Sequence, residues 1–120
     1  MSQVIDYQIA EGKTAQLAPF EIWEVPFGNA TIKFFEPLVL MPTLVPDDPD
    51  EPDDNEYLQV VCPELNIDVF AENHDDLLGC VLSDLRFIWK HIVSQSDDRL
   101  DTKSLAIKRN HLAIAEVIDG

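Results

Sequence analysis

Two groupings of side chains in the 120-residue sequence have the types that catalytic and metal centres use. His74-Asp75-Asp76 sets an imidazole beside two carboxylates, groups that ligate a divalent metal or move protons. Such a centre needs further ligands from other elements, and neither His91 nor His111 stands in a matching motif. The same residues are explained without a metal if a helix starts there, because its free N–H groups and dipole favour carboxylates. Cys62 and Cys80 are nucleophiles only with a base beside them. They lack C-x-x-C spacing and are too few for a disulfide framework, so a reduced, cytoplasmic chain is expected. No phosphate-cradling glycine loop or nucleophile elbow is present. Glu64 and Asp68 read as turn and strand-face residues, not as part of a two-metal carboxylate set. The expectation is a non-enzymatic protein with no catalytic, metal or cofactor site.

What remains is charge and surface. The net charge is −15, and the run DDPDEPDDNE holds seven carboxylates (Asp47, Asp48, Asp50, Glu51, Asp53, Asp54 and Glu56) and no base. Such a field repels nucleic acid and anionic membrane and speeds encounter with a basic protein. The competing reading is a solvated loop that only keeps the chain soluble. Calcium is a poor fit, because the run lacks the spaced Asp/Asn/Gly order of a calcium loop and its prolines resist wrapping. A second candidate contact is Asp84, Phe87 and His91, which share a flank with Cys80 if 73–93 is helical. Phe87 there is either core beneath another segment or a partner contact.

The elements that must position these groups follow from periodicity. Asn73–Val93 carries Leu77, Leu78, Val81, Leu82, Leu85, Ile88, Trp89 and Ile92 at helical spacing, with Asn73 as N-cap. Before it come YLQVVC (57–62), the turn PELN and IDVFA (67–71), whose Ile67, Val69 and Ala71 alternate with Asp68 and Phe70. FEIWEV (20–25) and TIKFFE (31–36) flank Pro26-Phe27-Gly28-Asn29 as a hairpin, with Phe20 and Ile22 on one face and Trp23 and Val25 on the other. Val4–Ile9 suits a short first strand. PLVLMPTLV (37–45) suits an edge strand or kinked extended segment, because proline cannot donate to a ladder. Residues 103–118 favour one helix capped by Asp101 or Thr102, with a short strand SLAIK (104–108) followed by a shorter helix as the alternative.

The stretch Tyr57–Leu78 resembles the HicB-like antitoxin family on Pro63-Glu64-Leu65 at the turn, Ala71-Glu72-Asn73 at the break and Asp75-Asp76-Leu77 at the helix start. The resemblance extends over residues 37–93, with PLVLMPTLV in the place of the family's first strand. It implies an antiparallel sheet with a helix on it and a toxin-like basic partner. Residues 94–120 are too few for the helix-turn-helix domain that the family commonly carries.

The expected architecture is a single α+β domain. An antiparallel sheet carries one long amphipathic helix (37–93), with an N-terminal hairpin extension (1–36) and a C-terminal helix or strand (94–120). The expected function is protein binding that masks a basic partner through residues 47–56 and the Asp84/Phe87/His91 flank. The alternative is a structural subunit forming a homodimer. No run approaches the length needed to span a bilayer, and MSQVIDYQIAEG has neither the basic start nor the apolar stretch of a secretory signal.

Overall fold

A computed structural model describes residues 17–46 and 56–119. The expected strand at Val4–Ile9 and the acidic residues Asp47 to Asp54 lie outside the described residues. The fold is α+β, as expected, but the strands form two antiparallel three-stranded sheets instead of one. The first has the order β1-β2-β6, from β1 (Phe20–Phe27), β2 (Ala30–Leu40) and β6 (Ala115–Asp119). The second has the order β3-β4-β5, from β3 (Thr43–Pro46), β4 (Glu56–Cys62) and β5 (Ile67–Ala71). Helix α1 (His74–Ile88) continues into a π-helical turn, Trp89–Val93, and helix α2 (Thr102–Ile114) runs directly into β6.

The hairpin forms where Gly28, at φ 63°, supplies the positive φ of a two-residue turn between Phe27 and Ala30. Its ladder is broken once. Ile22 pairs with Leu38 and Glu24 with Lys33, so the four residues Phe34–Pro37 stand opposite Trp23 alone. This odd shift reverses the inward face of β1: Val25 joins Phe20 and Ile22 in the core, while Trp23 points out. The strict alternation expected for FEIWEV therefore fails at Trp23, a bulge that period-two patterning does not foresee. Pro37 is accommodated in the bulge, where no ladder donor is needed.

PLVLMPTLV is correspondingly divided. Residues 37–40 finish β2, and Thr43–Pro46 alone pair with β4. The boundary drawn between 36 and 37 thus falls inside a strand. After β4, Pro63–Leu65 make a 3-10 turn closed by Asn66 in the left-handed conformation (φ 59°), whose N–H reaches Pro63 O at 3.0 Å. This is the turn expected from PELN, and β5 follows with Ile67 buried and Phe70 exposed.

Helix α1 packs against β1, β4 and β5 and so unites the two sheets in one core. Leu77, Val81, Leu85, Ile88, Trp89 and Val93 from the helix and its π-turn meet Ile22, Val25 and Ile32 of one sheet and Leu58, Val60 and Ile67 of the other. The C-terminal segment holds a helix and a strand, but in the opposite order to the expected alternative: SLAIK (104–108) lies within the helix, and the strand follows it. It is helical to Ile114, and then Ala115–Asp119 pair with Ala30–Phe34 of β2. The single helix to Ile118 is therefore corrected, and Val117 and Ile118 are strand residues. Asp101 is the N-cap, accepting the Ser104 N–H at 2.7 Å.

Candidate functional site: an acidic groove beside helix α1

The groups that suggested catalysis have structural partners. Asn73 Oδ1 accepts the Asp76 N–H at 2.8 Å while its amide donates to the Asp76 carboxylate at 3.0 Å, a reciprocal cap. His74 stacks on Phe20 with ring centroids 4.3 Å apart, and its Nε2 donates to Ala18 O at 2.9 Å. That bond ties the chain entering β1 to the start of α1. Among the described residues, no three His, Cys, Asp or Glu side chains are placed to share a metal ion. Both cysteines are free. Burial pushes the Cys62 thiol up; the Leu65 N–H pulls it back in part, and the adjacent Glu64 carboxylate raises it further. A thiol held protonated in this way is a poor nucleophile.

A groove of about 790 Å³ runs between β5 and α1, floored by Val69 and Ala71. Glu72, Asp75, Asp76 and Asp84 bring four carboxylates to it, with Cys80 and Ser83 between them and no basic side chain in the lining. The geometry follows from sheet order. β5 is an edge strand, and α1 lies alongside it, so the helix flank faces the open edge. Burial holds the Asp84 carboxyl above its ordinary value; a hydrogen bond from the Asp68 N–H opposes the rise, and the Asp68 carboxylate adds to it. Cys80 Sγ lies 4.0 Å from Phe70 O, a weak contact on the same edge.

Phe87 and His91 continue this flank toward the C-terminal end of the helix. Their rings lie 4.4 Å apart, both residues are exposed, and 59% of Phe87 is accessible. Phe87 is therefore not core beneath another segment of the described structure. The structure thus places Asp84 in the groove and Phe87 with His91 beyond it, as one strip on α1. Of the acidic run, Glu56 opens β4, and the other six carboxylates lie outside the described residues.

Sequence reasoning missed two features. One is the gathering of Glu72, Asp75 and Asp76 with Asp84. The capping reading explained the first-turn acids so fully that their shared solvent face was not considered. The other is His111, the single buried polar side chain among the described residues. Its position three residues before the end of a weakly amphipathic helix carried no signal. Two smaller hollows lie on the sheets. About 290 Å³ opens between the β2 bulge and Ala113–Ile114, and about 180 Å³ lies over Val45, Tyr57, Gln59 and Phe70.

No protein-family model, curated protein or solved structure matches this chain. No helix among the described residues is long and apolar enough to cross a membrane.

Proposed function

We propose that this is a non-enzymatic, HicB-like protein-binding domain that docks and masks a basic protein partner along the α1 flank. The supporting observation is the groove in which Glu72, Asp75, Asp76 and Asp84 converge without a basic side chain, next to the exposed Phe87–His91 pair. The carboxylates steer and orient a cationic segment, and Phe87 supplies apolar holding contact. The seven carboxylates of 47–56 extend the attractive field, and direct nucleic-acid binding is disfavoured by the same charge.

The test is affinity capture with the full chain from its own cells, comparing the wild type with two variants. One carries Glu72→Gln, Asp75→Asn and Asp84→Asn; the other neutralises the seven carboxylates of 47–56. The groove variant is expected to lose a basic partner by at least about tenfold, with wild-type capture weakening as salt rises. Neutralising the acidic run is expected to reduce recovery and the salt dependence together. A partner that is not basic, or recovery that neither variant changes, overturns the proposal.

A second reading is a homodimeric structural subunit. Trp23, Phe35 and Val39 on one sheet and Val61 and Phe70 on the other are each more than half exposed. Apolar sheet faces of this kind pair readily with a second copy. Light scattering that gives a dimer mass at both low and high salt favours this reading over the first.

A further inference from the structure

His111 is wholly buried at the point where α2, the π-turn after α1 and the 3-10 turn after β4 meet. Trp89 Nε1 donates to its Nδ1 at 3.0 Å, and its Nε2 lies 2.9 Å from Leu65 O. An indole nitrogen only donates and a carbonyl only accepts, so the ring is neutral with its proton on Nε2. A second proton would have to sit on Nδ1, facing the Trp89 N–H. Protonation therefore replaces a hydrogen bond with a donor–donor clash and leaves a buried cation.

No carboxylate bonds to the ring to offset that cation. The charged or titratable groups on the adjoining elements are Cys62 and Glu64 at the turn, Arg86 in the last turn of α1, Lys90 and His91 on the π-turn, Lys103, Lys108 and Arg109 on α2, and Glu116 and Asp119 on β6. The imidazole hydrogen-bonds to none of them. Arg86 is engaged with Pro26 O and Lys108 with Asp97 and Gln95 O. Burial lowers the affinity of His111 for a proton, and its hydrogen bond to Leu65 O only partly opposes this.

The apolar hold on α2 is slight. Ile107 is its one fully buried aliphatic residue, and Ile114 is partly buried against the same core; its other attachments are polar, including Asn110 to Glu64 O at 2.7 Å and Lys108 to Asp97 at 2.8 Å. We propose that His111 is an acid-sensitive latch whose protonation releases the α2–β6 unit while the α1-centred core stays folded. Release would also unpair β6 from Ala30–Phe34 and bare that edge of β2.

The direction follows from linkage. His111 in an opened unit titrates near 6.5 and in the closed unit below it, so closure is fully favoured above pH 6.5 and weakens as pH falls below it. Between the two values the opening equilibrium rises about tenfold per pH unit. Hydrogen exchange on the full chain from pH 7.5 to 5, corrected for intrinsic rates, reads this directly. Amides of 102–119 should lose protection at up to that slope, while those of α1, β4 and β5 keep theirs. The Nε2–H signal of His111 in nitrogen-15 spectra should fade over the same range. His111→Gln, which retains a donor and an acceptor but cannot titrate, should flatten the response. Loss of protection throughout the chain together, no loss in 102–119, or an unchanged acid response in His111→Gln overturns the latch.

Discussion

Helix α1 buries Leu77, Val81, Leu85 and Ile88, and its π-turn adds Trp89 and Val93; α2, of similar length, buries only Ile107 and His111. At about 2 kcal/mol for each fully buried large apolar side chain, α1 gains several times the hydrophobic stabilisation that α2 does. α2 is held instead by bonds from Lys108, Asn110 and His111 to carbonyls and to one carboxylate. Hydrophobic burial is indifferent to pH and resists opening. A polar anchorage with a neutral imidazole at its centre is directional, costly to leave unmade and open to titration. The same core therefore carries one helix that defines the fold and another that can be let go.

The largest expected effect tests the α1 side of this contrast. Leu85→Ala opens a cavity at the centre of the core and should cost about 3 kcal/mol in urea denaturation. Because no proton is involved, the loss should be the same at pH 7.5 and pH 5.5. A loss that differs markedly between the two would mean that the helices are not separable in this way.

Trp89→Phe comes next and acts at the junction. The ring is largely replaced, but His111 Nδ1 loses its donor, which should cost about 1 to 2 kcal/mol at pH 7.5. Freed of the Trp89 N–H, Nδ1 accepts a proton more easily, so the closed-state pKa rises toward 6.5. Stability lost between pH 7.5 and 5.5 should then be smaller in the variant than in the wild type. Denaturation of both at the two pH values measures this.

The same contrast explains what the sequence made legible. α1 was readable from Asn73 to Val93 because its apolar residues recur on one face; of its partners, β4 was readable from its run of strand formers and β5 from its alternation. α2 lacks a dominant stripe, so its extent was overrun and β6 was absorbed into it. No local pattern marks Ala115 as the point where the chain joins Phe34, 81 residues back. The bulge at Trp23 and the buried role of His111 are likewise set by contacts remote in sequence. The Asp84/Phe87/His91 flank was visible because it is the helix face left over once the core stripe is assigned. The groove was not, since Glu72 and Asp84 share it only after α1 lies along β5.

The two N-caps give a smaller pair of tests. Asn73→Ala removes the acceptor for the Asp76 N–H and should lower global stability by about 1 kcal/mol, because α1 does not detach without the core. Asp101→Ala removes the corresponding acceptor for the Ser104 N–H. Its effect should be local, with faster exchange at Ser104 and Leu105 and little shift in the global denaturation midpoint. Equal effects on the midpoint would show that α2 is as firmly coupled to the core as α1.

Asp84→Asn is the smallest effect and separates stability from binding on α1 itself. The Asp84 carboxyl is held above its ordinary value, chiefly by burial. An acid whose pKa is raised in the fold contributes stability at low pH and loses it as pH rises through the folded value. At pH 7.5 the charge is thus a slight burden. Asparagine keeps an acceptor for the Asp68 N–H and deletes that charge, so the midpoint should rise slightly. The gain should shrink as pH falls through the raised value at which the folded wild-type carboxyl protonates, and should level off below the ordinary value of 3.8. A carboxylate retained at a cost to the fold fits a role in docking a basic partner. The variant should therefore be marginally more stable and bind such a partner less well, whereas a loss of stability at pH 7.5 would make Asp84 a structural anchor of the β5 edge.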